Sequence, residues 1–340
     1  MWAAGLGFDK PMSDPQVQPT AAPRGAAGSQ YALLRRSLTP ATDGLDIPTL
    51  AVAIAVYGGY IALTWFFREM PIWIAAPLTA LWLTWHGSLQ HETIHDHPTP
   101  WRRLNSTLAV PPLSLWLPYR IYRATHLKHH RHGGRHLTEV ARDPESFFMR
   151  PGTLSRSGYL WRAVYRANCT LAGRLVFGPA LAVLRFWKVE MRLVVGGNRR
   201  CRIIWTRHAI AVAMVLVWTS AVCHIPVAVY VMFVVYPSIS LSHLRSFAEH
   251  RADQEPSLRT MTVEAHPLWA LIFLNNNLHI AHHAHPALPW YQLPRVWSQM
   301  RESAVGSGLV LHRGYGQVVD GYLLRPVMSV EHPGEDGVGP

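Results

Sequence analysis

Long runs of residues without a charged side chain are the feature that most limits how this chain can fold. Residues 49–67 and 71–90 contain no Asp, Glu, Lys or Arg, and residues 210–242 form a longer run without these residues that is interrupted at Pro226. A helix of about 20 apolar residues crosses the hydrocarbon core of a bilayer. Only 15% of all residues are charged, against about a quarter in a typical soluble domain. The sequence therefore predicts an all-α integral membrane protein with four transmembrane helices, arranged as two hairpins.

The distribution of positive charge predicts which side of the membrane the loops occupy. Lys and Arg total 32 against 20 Asp and Glu, which gives a net charge of +12. Many arginines lie between the two hairpins, in residues 142–207, whereas the turns at 68–70 and 224–226 carry no net charge. Cytoplasmic loops of membrane proteins are enriched in Lys and Arg. Both termini and the segment between the hairpins are therefore predicted to be cytoplasmic.

Two segments are expected to lie at the membrane surface rather than across it. Residues 107–118 are apolar but too short to span, and they contain Pro111 and Pro112, which predicts a re-entrant or interfacial piece. In residues 142–207, arginines bracket short apolar stretches, which is typical of helices in the membrane interface. A nucleic-acid-binding patch is the less favoured explanation of these arginines, and no nucleic-acid partner is expected.

Three histidine clusters follow the apolar segments and carry the candidate chemistry. They are H-x-x-x-H at His91 and His95, and two copies of H-x-x-H-H at His126, His129, His130 and at His279, His282, His283. Residues four apart on a helix share one face, so two such rings can bind the same metal ion. A zinc ion takes four ligands in all. Eight imidazoles therefore predict two metal ions, and imidazole suits iron, zinc and copper alike.

Two other functions fit part of this pattern. His91-Glu92-Thr93-Ile94-His95 is also the H-E-x-x-H signature of zinc metalloproteases, in which Glu92 would be the general base. That interpretation assigns no role to the other two clusters. A metal-binding or transport protein without enzymatic activity would also hold metal, although polar residues inside the predicted spans are scarce.

Taken with their flanks, the three clusters resemble the membrane fatty acid desaturase family, whose superfamily also contains alkane hydroxylases and carotenoid hydroxylases and ketolases. The resemblance extends from the second apolar run to Pro294. It includes Asp143-Pro144-Glu145 after the second cluster and His282-His283-Ala284-His285-Pro286 in the third. Residues 244–251, LRSFAEHR, are similar to a bacterial subgroup that includes dihydrorhizobitoxine desaturase and is close to the carotenoid ketolases.

The resemblance implies a cytosolic helical cap on four spans, in a bacterial inner membrane, with a histidine-rich non-haem diiron centre and O2 as co-substrate. It also implies an external electron donor, of the ferredoxin type or cytochrome b5 with a reductase, and a lipid-like substrate. In the family one further ligand follows the fourth span; His250 is the predicted residue and His243 the alternative. No catalytic residue beyond the metal site is predicted. The predicted metal ligands are His91, His95, His126, His129, His130, His250, His279, His282 and His283.

The expected function is O2-dependent desaturation of a fatty acyl or other lipid-like chain. A hydroxylase or ketolase, or a desaturase of a small amino-acid-derived substrate, remains open. The domain organisation is expected to be a cytoplasmic tail at 1–46, a desaturase-like domain at 47–313 and a C-terminal tail at 314–340. Five acidic residues are candidates to orient the histidine rings by accepting their N–H groups: Glu92, Asp96, Asp143, Glu145 and Glu249.

Overall fold

A computed structural model describes residues 44–333, and the chain in this range is mainly helical. Two short strands, β1 (Met261–Val263) and β2 (Val310–His312), pair in parallel. The helices are α1 (Ile47–Trp65), α2 (Ile72–Ile94), α3 (Arg102–Ala109), α4 (Tyr119–His129), α5 (Tyr159–Ala167), α6 (Leu171–Val195), α7 (Arg199–Val222), α8 (Val227–Phe247), α9 (Pro267–Ile272), α10 (His279–Ala284), α11 (Leu293–Gly306) and α12 (Tyr315–Tyr322).

Three helices, α1, α7 and α8, are long and apolar enough to cross a membrane. They contain the first, third and fourth predicted spans. Helices α5 and α6 meet the same criterion only as a pair, and they are bent by 117° at the break between them. The described part of the chain therefore has three helices, or up to four if the bent pair is one span, with the length and composition of membrane helices.

Helix α2 contains the second predicted span, but it is more polar than the other three. It has 23 residues, a length of about 35 Å at the usual helical rise. It packs against both α1 and α8, and Ala75, Leu83 and Leu89 are among its buried side chains. Thr79 and Thr84 donate hydrogen bonds to carbonyl groups one turn back, so buried hydroxyls do not interrupt the packing. The polar C-terminal half of α2 is also buried.

The third span begins earlier than the sequence predicts. Helix α7 starts at Arg199 rather than at residue 210, so residues 199–207 belong to a long helix and not to a separate interfacial one. The side chain of Asn198 accepts a hydrogen bond from the amide of Cys201 and so caps the helix start. Arginines in the first turn can extend toward lipid phosphates while the backbone continues into the membrane. These arginines are therefore compatible with the first turn of a membrane helix and need not belong to the preceding loop.

Residues 110–118, which the sequence predicts as a re-entrant or interfacial piece, contact three of the long helices. The carbonyl of Leu113 accepts a hydrogen bond from Tyr230 at 2.8 Å. The carbonyl of Leu115 accepts one from Nε2 of His208 at 2.9 Å, and that of Trp116 accepts one from Trp187. Side chains of α6, α7 and α8 thus satisfy the backbone of this non-helical segment, which is the condition for irregular backbone at membrane depth.

The folded part of the chain continues beyond the boundary at residue 313. Helix α12 follows β2, and Val318 on it is fully buried. Further on, the amide of Val327 donates to the carbonyl of Cys169, and that of His332 to the carbonyl of Met149. Residues 1–43 and 334–340 lie outside the described residues, so the predicted tails are described only at 44–46 and at 314–333.

A matched pair of glycines tests the packing of α1 on α2. A Cβ at Gly59 would lie 2.1 Å from the Trp82 ring, whereas a Cβ at Gly58 would meet nothing within 4 Å. Gly59→Ala must displace the ring, which also donates to the carbonyl of Ala55. We expect a loss of about 1–3 kcal/mol, the usual cost of overpacking, measured by thermal unfolding in detergent micelles. Gly58→Ala should not lower the melting temperature, and equal loss in both variants would contradict this packing.

Candidate metal centre

Four chain segments converge to place the nine predicted histidines in two neighbouring groups. The end of α2, the end of α4 and α10 carry the three clusters, and His250 follows α8 by three residues. In each cluster two histidines are four residues apart and share one face of their helix. In the second and third clusters a further histidine, adjacent to one of that pair, points to the other group. The first group, site A, is His91, His95, His126, His130 and His282; the second, site B, is His129, His250, His279 and His283.

In site A the ring nitrogens point at one another. Nε2 of His126 lies 3.2 Å from Nε2 of His95 and 3.1 Å from Nε2 of His130. Nε2 of His130 is also 3.1 Å from Nε2 of His282. The potential ligand atoms of all five residues lie within 4.8 Å of one another. Site A therefore offers nitrogen ligands from three different helices to one small volume.

Site B has the same arrangement with His250 at its centre. Nε2 of His250 is 3.1 Å from Nε2 of His129 and 2.8 Å from Nε2 of His279. Nε2 of His283 lies 3.0 Å from Nε2 of His279. His243, the alternative to His250, belongs to neither group; it packs against Gly178 of α6. The structure thus brings His250, and not His243, next to the clusters.

The two sites are in direct contact. The rings of His130 in site A and His283 in site B are stacked with their centroids 4.3 Å apart. His126 and His129, one from each site, also stack, at 5.7 Å. Metal ions held by the two sites would therefore be neighbours, separated only by these imidazoles.

The hydrogen bonds of site B leave lone pairs facing each other. Nδ1 of His250 lies 3.3 Å from the carbonyl oxygen of Arg259, which can only accept, so the proton of a neutral ring is on Nδ1. Nδ1 of His279 likewise lies 3.2 Å from Oδ1 of Asn276. The facing Nε2 atoms then have no proton between them, and two lone pairs at this distance repel. A cation bound by both would remove the repulsion, so the donor set fits a metal ion.

The spacing of the nitrogens also fits a metal ion. Imidazole nitrogens bind first-row metals at about 2.0–2.1 Å, so two ligands at right angles are about 3.0 Å apart. The separations of neighbouring Nε2 atoms in both sites are 2.8–3.2 Å. A bound metal ion would also compensate for the burial of these imidazoles, because an unpaired buried polar group is costly.

Three carboxylates support the rings from outside. Oδ1 of Asp143 lies 2.9 Å from Nδ1 of His129, and Oε1 of Glu145 lies 3.1 Å from Nδ1 of His126. Oε1 of Glu249 lies 3.5 Å from Nδ1 of His279. Such acceptors fix the ring orientation and make the opposite nitrogen a better ligand. Three of the five acidic residues predicted for this role are therefore confirmed as neighbours of the rings.

The same carboxylates make the site favourable for positive charge. Burial alone would lower the pKa of His129, but Asp143 and Glu145 outweigh it and raise that pKa to about 9. Burial would raise the pKa of Asp143, yet His129 holds it below its ordinary value. The carboxylates beside His129 thus favour positive charge at this ring.

Glu92 and Asp96 do not contact the rings, contrary to the prediction. Glu92 follows His91 directly, so its side chain points about 100° away around the helix, and its Oε1 accepts from the amide of Trp290 at 2.6 Å. Asp96 lies beyond the end of α2 with a φ of 70°. Its carboxylate instead accepts from Arg102 at 2.9 Å. The turn in the backbone moves it away from the site.

Asn276 and Arg245 are site residues that the sequence reasoning missed. Oδ1 of Asn276 accepts from His279, and its Nδ2 lies 3.5 Å from Nε2 of His91, so it connects the two sites. Arg245 lies 2.9 Å from Glu249, one helical turn on. Asn276 precedes the third cluster by three residues, and this spacing could have predicted its contact with His279. The four-residue spacing of Arg245 and Glu249 could likewise have predicted their ion pair.

A family model describes the region that contains these sites. The model for fatty acid desaturases matches residues 69–315, about three quarters of the chain and all nine histidines. This chain belongs to the fatty acid desaturase family. The desaturase family is a group of histidine-box diiron enzymes, so the chain is assigned as an oxidoreductase, and the two histidine sites have the donor set of such enzymes. No curated protein matches the chain.

Substitutions of Asp143 and Asp96 form a matched pair that tests whether the Asp143 carboxylate strengthens metal binding at site B. Asp143→Asn removes the negative charge beside His129, and loss of such a partner typically lowers metal affinity about 10–100-fold. Asp96→Asn breaks an exposed ion pair with Arg102 and should leave the affinity unchanged. Competition with a chelator, followed by metal analysis, measures both. Equal affinities for the two variants would show that Asp143 does not support a ligand.

Proposed function

We propose that the protein is an O2-dependent diiron desaturase that acts on a fatty acyl or other lipid-like chain. The observation that carries the proposal is the pair of adjacent, almost purely histidine sites in a chain of this family. Site A and site B would each hold one iron. When bound, an iron pair supplies the activation of O2 and the removal of hydrogen from an unactivated C–H bond.

The protein groups have three roles in this proposal. The nine imidazoles bind as neutral ligands, so less anionic charge surrounds the metal pair than a carboxylate site would provide. Asp143 and Glu145 accept the Nδ1 protons of His129 and His126, and Asn276 accepts that of His279, which keeps these rings in one tautomer. Glu249 lies 3.5 Å from Nδ1 of His279 and adds negative charge beside that ring. Burial excludes water from the reacting atoms, since His91, His126 and the other box residues are buried or nearly so.

The proposed membrane arrangement has α1 with α2 and α7 with α8 as two hairpins, with α2 as the fourth span despite its polarity. The C-terminal ends of α2 and α8 then emerge on the same side, which is where the histidine sites lie. The shorter helices would form the cap on that side. By the distribution of arginine this side is cytoplasmic, and a bacterial inner membrane is the proposed location. Residues 47–313 would form the desaturase-like domain, and the described residues 314–333 pack against it.

The proposal requires two partners. Desaturases of this family take electrons from another protein, so an external donor of the ferredoxin type or cytochrome b5 with a reductase is proposed. The apolar surfaces of α1, α7 and α8 favour a substrate that enters from the lipid phase. The subgroup resemblance of residues 244–251 keeps a small amino-acid-derived substrate as an alternative.

The zinc metalloprotease alternative has little support in the geometry. A general base needs a free carboxylate beside the metal-bound water. Glu92 instead accepts a hydrogen bond from the amide of Trp290 through Oε1, on a side of the helix that faces away from the histidine rings. A single zinc held by His91 and His95 would also leave site B without a function.

The product formed under labelled O2 separates desaturation from hydroxylation. Membranes containing the protein are supplied with an electron-donor system and lipid substrates. The product, analysed by mass spectrometry, should have lost two hydrogens and carry no label. Membranes with the His126→Gln variant are the control and should yield neither product. A labelled hydroxyl or keto group in the product would contradict the desaturase and identify a hydroxylase or ketolase of the same superfamily.

His250 and His243 test the ligand set directly. His250 is at the centre of site B, so His250→Gln should lower the iron bound per chain by about half. His243→Gln should retain full iron, because that ring contacts α6 and neither site. Metal analysis gives the readout, and thermal unfolding shows whether each variant is folded. Loss of iron from the folded His243 variant alone would refute the assignment.

A further inference from the structure

A large basic cavity lies beside the metal centre and has no role in the function proposed above. Its volume is about 950 Å³. Three helices, α3, α4 and the start of α7, each contribute two arginines to its lining: Arg102 and Arg103, Arg120 and Arg123, Arg199 and Arg200. Arginine is the residue that most often binds a phosphate or a carboxylate, because its planar guanidinium fork matches those groups.

The charge of this cavity is only partly neutralised by the protein. Asp96 accepts from Arg102 at 2.9 Å and from Arg123 at 3.5 Å. Within residues 44–333, by contrast, Arg103, Arg120 and Arg199 form no ion pair. Arg103, Arg120 and Arg199 also have exposed side chains, so they can reach an anion without losing a protein partner.

The walls between the arginines are apolar. Val110, Ile121 and Ile204 line the cavity together with the arginines. A free inorganic anion would leave these side chains in contact with water. The rounded surface of an acidic protein would not fill a concave space of this size. The combination of cationic rim and apolar wall instead matches an amphiphile with an anionic head group.

If α7 crosses the membrane, the cavity would lie at the level of the lipid head groups. Helix α7 has the length and composition of a membrane helix and begins at Arg199, so its first turn would lie where the helix enters the membrane. Trp101, directly before α3, is 61% exposed, and Leu104 on α3 is 43% exposed. Exposed tryptophan is enriched at the membrane–water interface. Basic pockets between membrane helices on the cytoplasmic side bind anionic head groups.

We propose that this cavity binds the phosphate head group of an anionic phospholipid, with the start of an acyl chain against the apolar wall. The lipid would contact α4, which carries the second histidine cluster. Tyr119 lines the cavity, and its hydroxyl lies 3.0 Å from that of Thr93, between His91 and His95. The proposal depends on the chain being in a membrane but not on the metal or on the reaction.

The test measures binding of phosphatidylglycerol, phosphatidylcholine and inorganic phosphate to the full-length chain in neutral detergent. Native mass spectrometry counts bound lipid, and the melting temperature reports stabilisation. The triple variant Arg103→Gln, Arg120→Gln, Arg199→Gln should bind phosphatidylglycerol on the order of a hundred-fold more weakly, and Arg120→Gln alone about five-fold. The control carries Arg150→Gln, Arg156→Gln and Arg295→Gln, three exposed arginines that do not line the cavity, and should bind like the parent.

Each other outcome would overturn the proposal. Equal binding of phosphatidylglycerol and phosphatidylcholine to the parent chain would show that the head-group charge is not recognised. Inorganic phosphate that stabilises the chain as well as phosphatidylglycerol would show a site for the free anion. Unchanged lipid binding in both the triple and the single variant, with weaker binding of a ferredoxin to them, would assign the arginines to an acidic electron donor instead.

Discussion

The convergence of imidazole lone pairs in a buried volume is the constraint on which the rest of this structure depends. Nε2 of His250 and Nε2 of His279 lie 2.8 Å apart, and their other ring nitrogens are already engaged by Arg259 and Asn276. A cation bound by both Nε2 atoms would remove the repulsion between their lone pairs. The surrounding carboxylates satisfy the same requirement from outside, since they stabilise a positive charge there whether a proton or a metal ion carries it.

This constraint explains why the helices that carry the histidines depart from ordinary membrane composition. The C-terminal half of α2 is polar, and yet it is buried. It packs against α1 and α8 and against the other segments that carry histidines. Its polar groups therefore contact protein atoms rather than lipid. The long apolar helices provide the frame, and the short helices between them bring the second and third clusters to the first. The fold thus positions ligands from segments far apart in sequence at one place.

Local geometry made most of the site predictable, and tertiary contacts account for the errors. Histidines three or four residues apart share a helix face, so their spacing alone predicts that they act together. The neighbours Glu92 and Asp96 looked equally suitable in sequence, but one points around the helix and the other follows a backbone turn. Asn276 bridges the two sites only because α10 approaches α2 in three dimensions. The sequence does not predict that α7 begins at Arg199, because a cluster of arginines is typical of a cytoplasmic loop. Long arginine side chains can nevertheless extend from the end of a membrane helix to the surface.

The central claim is that the two histidine sites hold two iron ions, and metal analysis tests it most directly. The full-length chain, purified in detergent from iron-replete cells, is analysed for iron, zinc and copper by mass spectrometry against protein concentration. The account predicts about two irons per chain, consistent with two sites of four and five histidines. A single zinc per chain with no iron would contradict it, and so would a folded chain that binds no metal at all.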